Sequence, residues 1–165
     1  MAAIPSDARA RALADQFTQA TQDLLAVAGN CSPAQWQTVC ANEARTVGVL
    51  VHHLALGDRN ITALITQVVA GQPPPPLTRD MLDHANARHA QEYAQVGQAE
   101  TLDLLRQTSH AATDFVQALT DPQLDQTAVI PIFGPQPTSV HQLVEYLLIG
   151  HTLGHLASIQ VALML

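Results

Sequence analysis

Of the 165 residues, 47% are apolar but only 13% are charged and 4% aromatic, so any core has to be assembled mainly from Ala, Leu, Val and Ile. That mixture suits helices packed closely through small side chains. Seven basic residues against fourteen acidic ones leave a net charge of −7 with no basic cluster, which argues against nucleic acid or an anionic membrane as partner.

The length suits a single domain spanning residues 1–165, large enough to bury about two thirds of its unfolded surface without a disulfide or metal staple. Cys31 and Cys40 flank Pro33 with no metal-ligand pattern nearby and read as buried or idle thiols. The N-terminus lacks a basic start followed by an apolar run, and no stretch reaches about 18 uninterrupted apolar residues. A cytoplasmic protein is the expectation.

In chain order, Leu13, Phe17, Ala20, Leu24 and Val27 recur at three- and four-residue spacing and predict a helix over 6–28, with Ser6 or Asp7 as its cap and Gly29-Asn30 as its stop. After a turn at Ser32-Pro33, Thr46 opens a second run through Leu50, Leu54, Ile61 and Val68 that ends at Gly71. Pro73–Pro76 cannot be helix interior. The stretch 78–96 is helical but polar, with Met81, Leu82, Ala85 and Tyr93 as its few apolar anchors, and reads as a crossover helix outside the core, closed by Gly97. Leu102, Leu105, Phe115, Val116 and Leu119 mark a third core helix, stopped by Asp121-Pro122. Residues 128–137 form an irregular or hairpin-like connection. A last helix starts at Thr138 or Ser139 and is apolar on most sides. No convincing pair of strands is present, and the fold class expected is all-α: a four-helix bundle with an extra crossover helix between core helices 2 and 3. Thr46-Val47-x-x-Leu50 is echoed by Ser139-Val140-x-x-Leu143, but two capped helix starts account for this without a repeat.

His151 and His155 lie four residues apart on the last helix, about 40° around its axis and roughly 6 Å apart at Cβ, so both imidazoles can reach one ion. Two histidines on a buried helix can equally pack and hydrogen-bond without a metal. A third donor is available in His52-His53, set among apolar residues where an unused imidazole costs about 1–3 kcal/mol. The two point about 100° apart, and spacing alone does not choose between them. His84, His89 and His110 read as solvated, and His141 as a residue at a pocket mouth. Asp58, Glu145 and Tyr146 are available to orient the imidazoles, although a solvated or capping role is the plainer reading. Glu-x-x-His pairs, His-Glu-x-x-His, Cys-x-x-Cys and phosphate-cradling glycine loops are all absent, which leaves a mononuclear three-histidine site as the metal chemistry open to this chain.

Two motifs carry a family resemblance. Ser32-Pro33-Ala-Gln-Trp36 followed by Glu43-Ala-Arg-Thr46-Val47-Gly-Val-Leu50-Val-His-His53-Leu54-Ala55, and Thr138-Ser-Val140-x-x-Leu143 leading to His151-x-x-x-His155, resemble the DinB-like superfamily of metal-binding four-helix bundles. That superfamily includes bacterial thiol-dependent S-transferases and maleylpyruvate isomerases. The resemblance implies His53, rather than His52, as the partner of His151 and His155, with a divalent metal, Zn or Ni, as cofactor. Departures stand at Arg45, where the family often has Trp, at Val49, where it has an acidic residue, and at Ser158, where it has Gln.

Three neutral imidazoles leave an open coordination position for water or a thiolate, which fits hydrolysis or transfer of a low-molecular-weight thiol to a small-molecule substrate. The resemblance implies thiol transfer more than hydrolysis. No residue outside the three is spaced as an obvious general base, so catalytic residues are not assigned. The alternative is a non-catalytic metal- or ligand-binding stress-response bundle, and an apolar chain with few charges also suits a homodimer.

Overall fold

The structure, a computed structural model, describes residues 8–165. The proposed caps Ser6 and Asp7 lie outside the described residues. The first helix, α1, runs Ala8–Gly29 and buries Leu13, Phe17, Ala20, Leu24 and Ala28, one face at helical spacing. A single-turn helix α2, Pro33–Trp36, follows: Ser32 and Gln35 cap each other's backbone and Pro33 presets the first turn. Strands β1 (Val39–Cys40) and β2 (Arg45–Thr46) pair antiparallel, and the Thr46 side chain then caps α3, Val47–Val69.

The crossover helix α4, Arg79–Glu92, is capped by Thr78 and has no buried residue. Gly97 caps the start of α5, Gln98–Gln117, rather than closing α4, which ends at Tyr93. Thr120 and Gln123 form a second reciprocal cap on α6, Asp121–Leu124, so Asp121-Pro122 begins a turn of helix instead of only stopping one. The strands β3 (Thr127–Ala128) and β4 (Thr138–Ser139) pair antiparallel across a 3₁₀ turn at Pro131–Phe133. Ser139 caps the last helix, made of α7 (Val140–Leu143), a π-helical stretch Val144–Gly150, and α8 (His151–Leu163).

Two hydrophobic clusters fill the bundle. One takes Phe17 of α1, Ile65 of α3, Val116 of α5 and Leu148 of the last helix; the other takes Leu24, Leu50, Leu105 and Leu156 of the same four. The order in which each helix passes between the clusters sets the directions: α1 and the last helix run one way, α3 and α5 the other. Adjacent core helices α3 and α5 are thus parallel, and α4 is the return that makes this possible. At the boundary each core helix buries one polar residue: Thr21, Asp58, Ser109 and Thr152.

The echo between residues 46–50 and 139–143 has a structural basis. In both places a long helix leads to a capped single turn carrying Pro, a two-residue antiparallel ladder, and a helix capped by the ladder's last residue. Even the next hydrogen bond repeats, Val47 N–H to the Thr38 carbonyl at 2.9 Å and Val140 N–H to the Gln126 carbonyl at 2.8 Å. The sequence reading drew no repeat because the two helix starts share little beyond cap and spacing. The second ladder, Thr127–Ala128 with Thr138–Ser139, closes the hairpin-like connection expected over 128–137, whereas β1–β2 has no counterpart in the sequence pattern, since two residues are too few to show alternation.

Candidate metal centre

His53 projects from α3 and His151 and His155 from α8, and one donor nitrogen from each falls within 4.8 Å of the others. His53 Nε2 and His151 Nε2 stand 3.0 Å apart, and the ring centroids of the three imidazoles are 4.7–5.2 Å from one another. Nitrogens about 2.1 Å from a shared ion lie roughly 3.0–3.4 Å apart in octahedral or tetrahedral geometry, so the 3.0 Å approach is compatible with a shared ion as well as with a hydrogen bond. Without an ion, one of these two nitrogens has to carry a proton for the other to accept.

The two ligand helices meet closely because α3 has Gly57 where His151 crosses. A Cβ added there would come 3.3 Å from His151 Cε1. On the other helix, the π-helical stretch ends one residue before His151, and Gly150 fits it: a Cβ at that position would press to 3.1 Å on the Glu145 carbonyl. Apolar spacing predicts regular α-helix here, since it does not distinguish one wide turn.

His155 is oriented by Glu43. Its Nδ1 donates to Glu43 Oε1 at 2.7 Å, which fixes the tautomer and leaves Nε2 free for an ion. Glu43 sits in the β1–β2 turn, where Glu43 and Ala44 N–H both bond the Cys40 carbonyl and Ala44 takes a left-handed φ of 52°. Its carboxylate is held twice more, by Arg45 Nη2 at 2.8 Å and by Ser158 Oγ at 3.1 Å. Burial pushes the Glu43 acid up, but the bond to Arg45, the charge and bond of His155, and the bond of Ser158 outweigh it and keep it ionised below the usual range. Two of the family departures, Arg45 and Ser158, therefore converge on one carboxylate. In the sequence Glu43 stands inside the first motif without a role, because the residue it orients, His155, is 112 positions away. The suggested orienters lie elsewhere: Glu145 approaches His141 at 3.4 Å, Tyr146 is exposed beside Phe133, and Asp58 is buried in the core.

His52 faces away from the three, as the 100° offset requires. Its Nδ1 is 2.9 Å from His89 Nε2, and its ring lies against Tyr93, so α4 is pinned to α3 at this point. His89 is thus no solvated histidine: it is partly buried, its ring centroid is 5.6 Å from that of His53, and its Nδ1 is buried without a partner among the described residues. His84 and His110 are exposed, as expected, and His141 is not among the cavity's lining residues. Burial dominates the titration of the cluster, taking His53 down to about 2 and both His151 and His89 to about 4. His155 is also lowered by burial, against the opposing pull of Glu43. Neutral imidazoles are the form a metal needs.

Two of the three histidines open onto a cavity of about 600 Å³ between α3, α4 and the proline segment, and His155 lies behind them, outside its lining. His53 and His151 line it together with His89 and Tyr93. Among the described residues no fourth His, Cys, Asp or Glu joins the cluster. Cys31 and Cys40 are free, buried in the second hydrophobic cluster, with thiols pushed up by burial.

Comparison with known proteins agrees with the fold. The solved structure of YfiT from Bacillus subtilis, described as "a probable metal-dependent hydrolase with an unusual four-helix bundle topology", superposes with a TM-score of 0.76, covering 98% of this chain and 89% of that one at 16% identity. No curated protein sequence matches. The DinB superfamily matches residues 16–160, and over that extent the chain belongs to it.

Proposed function

We propose that this chain holds one divalent ion, zinc or nickel, on His53, His151 and His155, and uses it to activate a low-molecular-weight thiol for transfer to a small electrophile. The observation that carries the reading is three converging imidazoles, without a fourth protein donor among the described residues, two of which, His53 and His151, line a ligand-sized cavity. A structural site would be closed by a fourth ligand. Bound there, a divalent ion supplies a lowered pKa to whichever water or thiol occupies its open position.

The chain's own residues favour the thiol. A free thiol ionises near pH 8.5 and needs only about two units of help at neutral pH, whereas water starts near 15.7 and gains from a nearby base. The cavity's one carboxylate among its lining residues, Glu92, is solvent-exposed on α4. Glu43 orients His155 through its Nδ1, and His52 anchors His89 beside His53, so the protein's part is to fix donors and wall the site. The description of YfiT as a probable hydrolase supports the same metal chemistry with water as nucleophile.

Elemental analysis of untagged protein, repeated on His53→Ala, His151→Ala and His155→Ala, tests the site; full metal retention by all three variants sinks it. A panel of small electrophiles with glutathione, bacillithiol or mycothiol then tests the reaction. Metal-dependent turnover with a thiol is expected, ester hydrolysis alone would move the reading to water, and silence throughout would leave a binding module.

A further inference from the structure

The cavity has one chemical end and one greasy one. His53, His151, His89 and Tyr93 mark the first; Ile61 and Leu64 of α3, Leu77 of the proline segment, Leu82 of α4 and Leu147 of the last helix mark the second. Asn60, Arg88 and Glu92 are solvent-exposed and form the rim.

Helix α4 supplies the independent observation. Leu82, Ala85, Asn86, His89 and Tyr93 follow three- and four-residue spacing, one face of a helix, and all five line the cavity. None of the residues of α4 is buried. The helix is polar overall, and the apolar side chains it does turn inward, Leu82, Ala85 and Tyr93, line the cavity instead of joining the core, with the helix pinned at the His52–His89 contact. Its partner is therefore whatever fills the cavity.

We infer that the substrate is an amphiphile, with its reactive head at His53 and His151 and an apolar tail lying between α3 and α4. This rests on the metal reading above for the head but not for the tail. From Gly57, beside His151, to Leu64 is about 10 Å along α3 at roughly 1.5 Å per residue. An extended alkyl chain with bonds of about 1.5 Å advances roughly 1.3 Å per carbon, so the space accepts a tail of about eight carbons.

The test is calorimetry of metal-loaded protein, its metal content measured beforehand, with straight-chain alkyl hydroxamates of about two to twelve carbons. Each added methylene should lower Kd about fourfold up to roughly eight carbons, and Kd should level beyond. Leu82→Asp puts a charge in the cavity from a helix that buries nothing, so folding and metal content should persist while the dependence on tail length disappears. A Kd independent of tail length, or unaltered tail dependence in Leu82→Asp, overturns the inference. Straight-chain alcohols, which lack a metal-binding head, separate it from the metal reading. In metal-free protein they should shift the methyl NMR signals of Leu64, Leu82 and Leu147, and no shift overturns the tail site. Shifts in a protein that never takes up metal would uphold the tail and remove the metal.

Discussion

Glu43→Gln isolates the part played by the carboxylate behind His155. The substitution is nearly isosteric: an amide oxygen still accepts from His155 Nδ1 and Ser158 Oγ, while the negative charge is removed. Loss of a carboxylate that orients a metal-binding imidazole typically costs 10–100-fold in affinity, about 1.4–2.7 kcal/mol. The 2.7 Å bond, the double support from Arg45 and Ser158, and the small exposure of the pair place Glu43 in that range. The charge of Arg45 is a second consequence. Its Nη1 is already buried without a partner among the described residues, so losing the Glu43 charge should also lower stability, and adding Arg45→Met should recover stability but not metal affinity. Competition titration against a chromophoric chelator at pH 7.5, where these imidazoles are neutral in both proteins, reads the affinity; elemental analysis at saturation reads capacity. Capacity of one ion with a 10–100-fold weaker Kd is expected. An affinity within twofold of the parent would refute the reasoning, since Glu43 would then only hold the hairpin turn to α8.

Gly57→Ala should separate stability from the site: helix propensity favours Ala by about 1 kcal/mol, yet its Cβ would crowd His151 at 3.3 Å, so thermal stability should hold or rise while metal affinity falls. Gly48→Ala would place a Cβ 2.4 Å from Trp36 Nε1, which donates to the Val96 carbonyl at 3.0 Å, and should destabilise by about 1–3 kcal/mol in denaturant titrations. Metal-free protein should lose stability as pH falls from about 6.5 toward 4. The unfolded chain takes up protons on its imidazoles there, while folded His151 resists until about 4, a contribution on the order of 3 kcal/mol from that residue. Asp58 works with the opposite sign: burial raises its acid to about 8, so the unfolded chain releases its proton first, and stability falls as pH rises from about 4 to 8 by up to roughly 5 kcal/mol. Asp58→Asn should flatten that slope, and an unchanged pH profile of chemical denaturation would contradict it.

The local elements were legible because they rest on local chemistry. Apolar spacing drew the four core helices, Thr46 and Ser139 capped the helices expected of them, and the prolines set α4 apart. The i, i+4 spacing of His151 and His155 already put both imidazoles on one face, and the resemblance singled out His53. What stayed out of reach depends on contacts between distant segments or on geometry that composition does not encode. The parallel course of α3 and α5, the wide π turn before His151 and the repeated cap-and-ladder device are of this kind. So is the meeting of Glu43, Arg45 and Ser158 behind His155: three polar residues scattered over 116 positions carry no periodicity. His89 shows the limit most directly. On a helix with no buried residue its sequence context is that of a solvated side chain, and only the docking of α4 across the cavity brings it to His52 and the three histidines. Spacing along a helix fixes which side chains share a face, whereas which faces meet is decided by packing the whole chain.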